Sequence, residues 1–245
     1  MGRSIAVITA LALAAPAGGA VRARTMPTPG PAPRDEPFLA HVSSPVARTS
    51  RSPAGTLVAR IRPGRDVVVR SGRGLERVGS RTQFGSPQTF PVTRLLPGRR
   101  YRVLLDDGRT GWIRPARGTF TLSRTRVSLE VDLSTRLLRV HRGNRVTRSV
   151  RVGIGAPDTP TPVGRFAVTD KLDGAAFSPV YGCCILALSA HQNHLPAGWT
   201  GGNLIAIHGG STVGAISNGC VHAATADLLY LMRMVPLGTP VVVHP

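Results

Sequence analysis

The stretch SNGCVHAATADLL, residues 217–229, is where the fold is most legible. It places Cys220 behind Ser217, Asn218 and Gly219, with His222 two positions on and a helix-forming run beyond. A cysteine that only packs a core usually sits in an apolar run. One set among glycine and small polar residues, just ahead of an amphipathic segment, reads as a turn that presents its thiol. The helix is expected over residues 226–235. Thr225 caps it and Asp227 suits its first turn. Leu228, Leu231, Met232 and Val235 form an apolar stripe for the core, and Pro236 and Gly238 stop it.

Immediately upstream, NLIAIHGG (203–210) is an apolar strand that ends on His208, where Gly209 and Gly210 let the chain turn. A nucleophilic cysteine needs a base to take its proton, a group that orients the base, and donors for the oxyanion. A strand-end histidine and a turn cysteine joined by a short loop can supply such a pair. The alternative from the residues alone is a buried imidazole and an inert thiol.

Further out the pattern is β. VSLEVDL (127–133), LLRVHR (137–142) and VTRSVRVGIG (146–155) alternate and are joined by tight turns, a hairpin meander. A Pro/Thr/Gly segment follows at 158–172, then strand candidates CILALSAH (184–191) and TPVVVHP (239–245). Before the meander, TLVARI (56–61), DVVVR (66–70), TFPVTRLL (89–96), YRVLL (101–105) and GWIR (111–114) are short strands, the last two joined by a DDG turn. They predict a small β module over 55–118, with no cluster of catalytic residue types inside it. The fold class expected is mainly β with one prominent helix.

The ends and the charge bound the setting. MGRS followed by an apolar run to Ala15 and small residues to Ala20 reads as a secretory signal over 1–23, cleaved after Ala20 or Ala23. An uncleaved anchor is the alternative. Residues 24–54 are rich in Pro, Ser, Ala and Arg and read as an extended linker. Lys and Arg number 31 against 12 Asp and Glu, a net charge of +19. Lys171 is the only lysine, so the charge is arginine. Such a chain is drawn to polyanions. Export excludes nucleic acid as the partner and leaves anionic wall polymers, or a solvated basic surface with no partner at all. Three cysteines, Cys183, Cys184 and Cys220, are an odd count, so one thiol is expected free or paired with another molecule.

The motif IHGG…SNGCVH resembles the signature of the L,D-transpeptidases with a YkuD-type catalytic domain, which cross-link bacterial peptidoglycan. VDLSTRLLRVHRG (131–143) is similar to the family's opening hairpin and TPTPVGRF (159–166) to its Thr-Pro-x-Gly-x-Phe segment. YGCCILALSAH (181–191) resembles the strand before the active-site strand, and PLGTPVVV (236–243) the closing strand. The segment over 55–118 resembles the SH3-like module that accompanies some of these domains. The resemblance implies a YkuD-type β-sandwich over 125–245, with Cys220 as nucleophile and His208 as base. It further implies the Gly209 carbonyl as orienter and the Gly219 and Cys220 amides as oxyanion donors. Ser217, Asn218, His222, Tyr181 and His191 fall on the substrate side. The implied substrates are peptidoglycan stem peptides, carbapenems are the implied inhibitors, and no cofactor or metal is called for. Hydrolysis instead of cross-linking would make the chain an L,D-carboxypeptidase, and loss of turnover a wall-binding protein.

Three positions depart from the family pattern. The loop between His208 and Cys220 is short, and His222 stands where arginine is usual. Cys183-Cys184 replaces a Gly-Pro-Tyr-like continuation, as two small buried residues, a vicinal disulfide or a redox partner of Cys220. A zinc site built on His191 and His194 (H-x-x-H) is the rival reading. Papain-like enzymes place Cys before His, and sortases separate their His and Cys widely.

Overall fold

The computed structural model describes residues 55–245. The signal segment, its cleavage or retention, and the linker expected over 1–54 lie outside these residues. Among the described residues no helix is long and apolar enough to cross a membrane.

Residues 56–125 form one seven-stranded sheet. Its strands are β1 (Thr56–Ile61), β2 (Asp66–Ser71), β3 (Gly74–Gly79), β4 (Thr89–Leu96), β5 (Arg100–Leu104), β6 (Thr110–Ile113) and β7 (Phe120–Thr125), in the order β3-β2-β6-β5-β4-β1-β7. The sheet turns on β4. Thr89–Pro91 pair with β1, the register slips between Val92 and Arg94, and the rest of the strand pairs with β5. Ile61, Val67, Val69, Phe90, Val103 and Ile113 fill its core. The sequence reading passed over β3 and β7. Both carry several polar or charged residues and expose most of their side chains, so the alternation signal is faint. Because β7 pairs along the whole of β1, the module runs to Thr125 and not to the boundary expected at 118.

The remaining chain makes an eight-stranded sheet in the order β10-β9-β8-β17-β12-β13-β14-β16. Its strands are β8 (Val127–Asp132), β9 (Leu137–Arg142), β10 (Arg145–Arg151), β12 (Gly164–Asp173), β13 (Cys184–His191), β14 (Leu204–Gly209), β16 (Val221–Ala223) and β17 (Pro240–His244). The two-residue β11 (Ile154–Gly155) pairs separately with β15 (Ala215–Ser217). The first four residues of β12, Gly164–Ala167, pair with β17; from Val168 on, with a register shift at Val168/Asp170, the strand pairs with β13. That irregularity folds the sheet on itself, the way a bulge bends a strand. Both halves therefore close on one core holding Leu129, Val140, Leu186, Ile207, Val221 and Val243.

The one α-helix among the described residues, α1 (Thr225–Met234), covers β13 and β14 and buries Leu228 and Leu231 completely. Thr225 does not cap it. The N-cap is Ala224, with no side-chain cap bond, and Thr225 is the first helical residue. The start is fixed instead by Asp227, which the Arg148 guanidinium holds through Nε at 2.8 Å and Nη2 at 2.6 Å. An acid in the first turn also suits the helix dipole.

Module and sandwich touch directly. Thr82 Oγ1 donates to the buried Asp170 carboxylate, and Gly238 packs so closely on Val58 that a Cβ there would lie 2.7 Å from its Cγ1.

Candidate active site

β14 and β16 are parallel neighbours, and their register sets His208 opposite His222. Residues opposite each other share a face. The two imidazoles meet with centroids 4.7 Å apart and planes tilted by 52°. Cys220 comes directly before β16, so alternation sends it to the face of His222 and His208. Its thiol reaches the Ala206 backbone, two residues before His208 on β14. Ile205 and Ile207 point to the opposite face, into the core. The site is thus built from the back of the strand that anchors the sandwich.

His208 is 5% exposed. The turn Pro179–Tyr181 covers it, with the Tyr181 ring edge-on at 4.9 Å. His208 Nδ1 lies 2.7 Å from the Gly209 carbonyl. A carbonyl only accepts, so Nδ1 carries the proton and Nε2 the lone pair. Burial pushes the imidazole down to about 4; the Gly209 bond opposes this and the His222 ring adds to it. Burial also pushes the Cys220 thiol up, against a hydrogen bond with the Ala206 backbone. Both shifts favour the uncharged forms. At neutral pH the thiol and the imidazole are both uncharged. No Cys220–His208 hydrogen bond is among those the described residues form.

The cysteine turn is braced from three sides. Ser217 Oγ donates to the Cys220 carbonyl and accepts from the Gly219 N–H at 3.2 Å. The Gly219 amide is therefore engaged, whereas the Cys220 N–H makes no hydrogen bond among the described residues. The Ser217 carbonyl accepts from the Ala156 N–H at 2.8 Å and from Thr159 Oγ1 at 2.9 Å. Gln192, 3% exposed, donates from Nε2 to the Pro160 carbonyl at 3.0 Å and to the Asn218 carbonyl at 3.3 Å. Gly219 has φ of 105°, and a Cβ there would lie 2.4 Å from that same Nε2. Only glycine fits. The Asn218 residue itself is exposed.

His222 occupies a tight seat: a Cβ on Gly210 would stand 2.6 Å from its Nδ1. Burial lowers its pKa, with the Ser211 backbone pulling the other way. It is therefore a neutral ring at pH 7, and not the fixed cation that the family resemblance leads one to expect there. Cys183 and Cys184 form a vicinal disulfide at the start of β13, and Cys220 is the free cysteine.

His191 does not join this group. It pairs with Leu204, four residues before His208 on β14, on the order of 13 Å along that strand at about 3.3 Å per residue. It lines a cavity of about 280 Å³ with Asp106, Asp107 and Arg109 of the module. The reason is the register: β13 runs the length of the sandwich, and its two ends serve different surfaces. His194 gives its N–H to Gln192 Oε1 at 3.0 Å. Among the described residues no three His, Cys, Asp or Glu side chains are grouped to hold a metal. The sequence reading noticed the histidines of 191–194 and missed Gln192 between them. A buried glutamine at a strand end carries no motif, and its partners lie far away in sequence. Thr159 and Pro160 had a signal, the TPTPVGRF segment, but not their function as braces.

A family model of the YkuD L,D-transpeptidase catalytic domain matches residues 126–243. The Bacillus subtilis protein YqjB, named as an L,D-transpeptidase, is 31% identical over 124 residues, covering 46% of this chain and 68% of that protein. The chain belongs to the L,D-transpeptidase family. Solved structures similar to it include an L,D-transpeptidase from Mycobacterium smegmatis, with TM-score 0.40 and 18% identity over 70% of this chain and 89% of that one. Another is the L,D-transpeptidase LdtMt1 in complex with imipenem, with TM-score 0.39 and 17% identity over 63% and 71%. In this L,D-transpeptidase the matched span begins just past β7 and takes in the helix and the eight-stranded sheet as far as Val243, one residue short of the end of β17.

Proposed function

We propose that this L,D-transpeptidase is exported and forms 3→3 peptidoglycan cross-links through an acyl-enzyme on Cys220, with His208 as base. The observation that carries the reading is the His208–Gly209 bond, which leaves Nε2 as the acceptor on the face shared with Cys220. Cys220 Sγ attacks the carbonyl of the third stem residue as its proton passes to Nε2. The Cys220 N–H supports the oxyanion. The terminal D-Ala departs with the proton from His208, leaving a thioester. The side-chain amine of a neighbouring stem then attacks the thioester and returns the thiol. Because the resting pair is neutral, charge develops only as the reaction proceeds, where a preorganised donor is most effective. Apo hydrogen bonds of this kind are often long and tighten with substrate.

Export rests on the charge and apolar pattern of residues 1–23. Carbapenem sensitivity rests on the family and on the imipenem complex of LdtMt1. The test is intact-mass analysis after incubation with imipenem, for the native chain, Cys220→Ala and His208→Ala, and, in separate imipenem-free samples, incubation with a tetrapeptide stem that serves as donor and acceptor. An adduct lost in Cys220→Ala, with a 3→3 dimer as product, is expected. An adduct with only tripeptide product reassigns the chain as a carboxypeptidase. No adduct on the native chain defeats the proposal.

A further inference from the structure

A cleft of about 860 Å³ lies between the module and the sandwich and shares no lining residue with the Cys220 turn. β1, β4, β5 and β7 contribute to one wall, and β8, β12 and β17 to the other. Arg94, Arg102, Arg124, Arg126 and Arg165 line it, and no Asp or Glu does. All five are exposed. None forms an ion pair among the described residues, although Arg109, Arg139 and Arg148 each find a carboxylate elsewhere. The chain therefore has acids to spend and places them away from this cleft. Like charges gathered in a concave site with low-dielectric walls repel one another and concentrate the field. A partner with opposite charge removes that cost.

We infer that the cleft binds a phosphodiester-linked polyol chain. Five cations along one cleft call for a repeated anion and not one small ion. A guanidinium fork matches the two free oxygens of a phosphodiester. The phosphodiester charge lies in the chain backbone itself, so successive repeats follow the cleft floor, whereas a pendant carboxylate holds its backbone off. Between the arginines, Leu57, Val92 and Val242 offer apolar surface for methylenes, and Thr56 and Thr110 offer hydroxyls. Arg102 is already oriented, donating to Thr110 Oγ1 at 3.1 Å with its guanidinium 6.0 Å from the Trp112 ring centre. Phe166 is the single aromatic residue of the lining. Single-stranded nucleic acid needs successive stacking platforms, so the lining favours a polyol over bases. Bound in this way, the polymer holds both domains against the wall without occupying the cysteine.

The test is fluorescence anisotropy of a labelled poly(glycerol phosphate) oligomer titrated with the full chain. Three proteins are compared: native, Arg94→Gln/Arg124→Gln/Arg126→Gln, and a control of equal charge, Arg62→Gln/Arg114→Gln/Arg117→Gln, outside the cleft. At about fivefold per arginine near an anionic surface, the cleft variant should bind roughly a hundredfold more weakly. The control should change less than about threefold, and the slope of log affinity against log salt should flatten by about two for the cleft variant alone. Arg165→Glu on the opposite wall gives a second, independent loss, and Cys220→Ala binds as the native chain does. Equal losses in the two triple variants, no binding by the native chain, or equal or tighter binding of poly-L-glutamate or oligodeoxythymidine would each overturn the inference. Failure here leaves imipenem labelling of Cys220 unaffected, so the two proposals fall separately.

Discussion

Acid discriminates between a buried neutral His208 and an ordinary one. Burial pushes this imidazole down to about 4, against a value of about 6.5 in the unfolded chain. Above pH 6.5 it is neutral in both states and adds nothing to the pH dependence. As pH falls below that value, the unfolded chain takes up a proton that the folded chain refuses, so stability is lost. The loss is complete once pH has passed through the folded value. A gap of that size at about 1.4 kcal/mol per pH unit amounts to about 3 kcal/mol. In a chain of this length that is on the order of 6–12 °C in Tm. His208→Gln keeps a donor for the Gly209 carbonyl but cannot titrate. Calorimetry of both proteins at pH 7 and pH 4 isolates the effect from the carboxylates, which both share. The native chain should lose about 3 kcal/mol more than the variant. The same imidazole governs acylation. At pH 5 about 90% of a group with pKa near 4 is free base, but only about 3% of one near 6.5. The imipenem acylation rate should therefore be nearly level from pH 7 to pH 5. Parallel acid losses in the two proteins, together with an acylation rate that falls below pH 6.5, would refute the neutral-pair account.

Other substitutions probe the brace around the cysteine. Gly219→Ala forces a side chain into a left-handed conformation and against Gln192, costing about 1–3 kcal/mol; a urea midpoint equal to native would show that the turn relaxes freely. Gln192→Leu leaves the Pro160 and Asn218 carbonyls without their donor, for about 1–3 kcal/mol. Its imipenem acylation should slow as well, because the turn that aims Cys220 loosens, and an unchanged rate would confine Gln192 to stability. Thiol titration of the denatured, unreduced chain should find a single reactive cysteine, removed by Cys220→Ala, and three after reduction. Three thiols before reduction would rule out the disulfide.

Much of the frame could be read directly from residue order. The strands at 56–61, 89–96 and 184–191 coincide with their sequence reading, because alternation or an unbroken apolar run between turn residues leaves one local answer. The helix was equally legible from its stripe. β12 was not: residues 158–172 read as a Pro/Thr/Gly segment, yet from Gly164 on they form the central strand on which the sandwich bends. Strand β16 has only three residues and exists because β14 offers it an edge.

At the site, the residue types and their local spacing determined that Cys220 lies in a glycine turn and His208 at a strand end. Local chemistry sufficed there, since a glycine before a thiol and two after an imidazole restrict the backbone by themselves. Tertiary structure alone decided the rest: that His222 packs on His208, that Gln192 and Thr159 hold the cysteine turn, and that His191 faces the module instead. Those facts depend on strand register and on which distant segments a folded sheet brings into contact, and neither is encoded in the neighbours of any one residue.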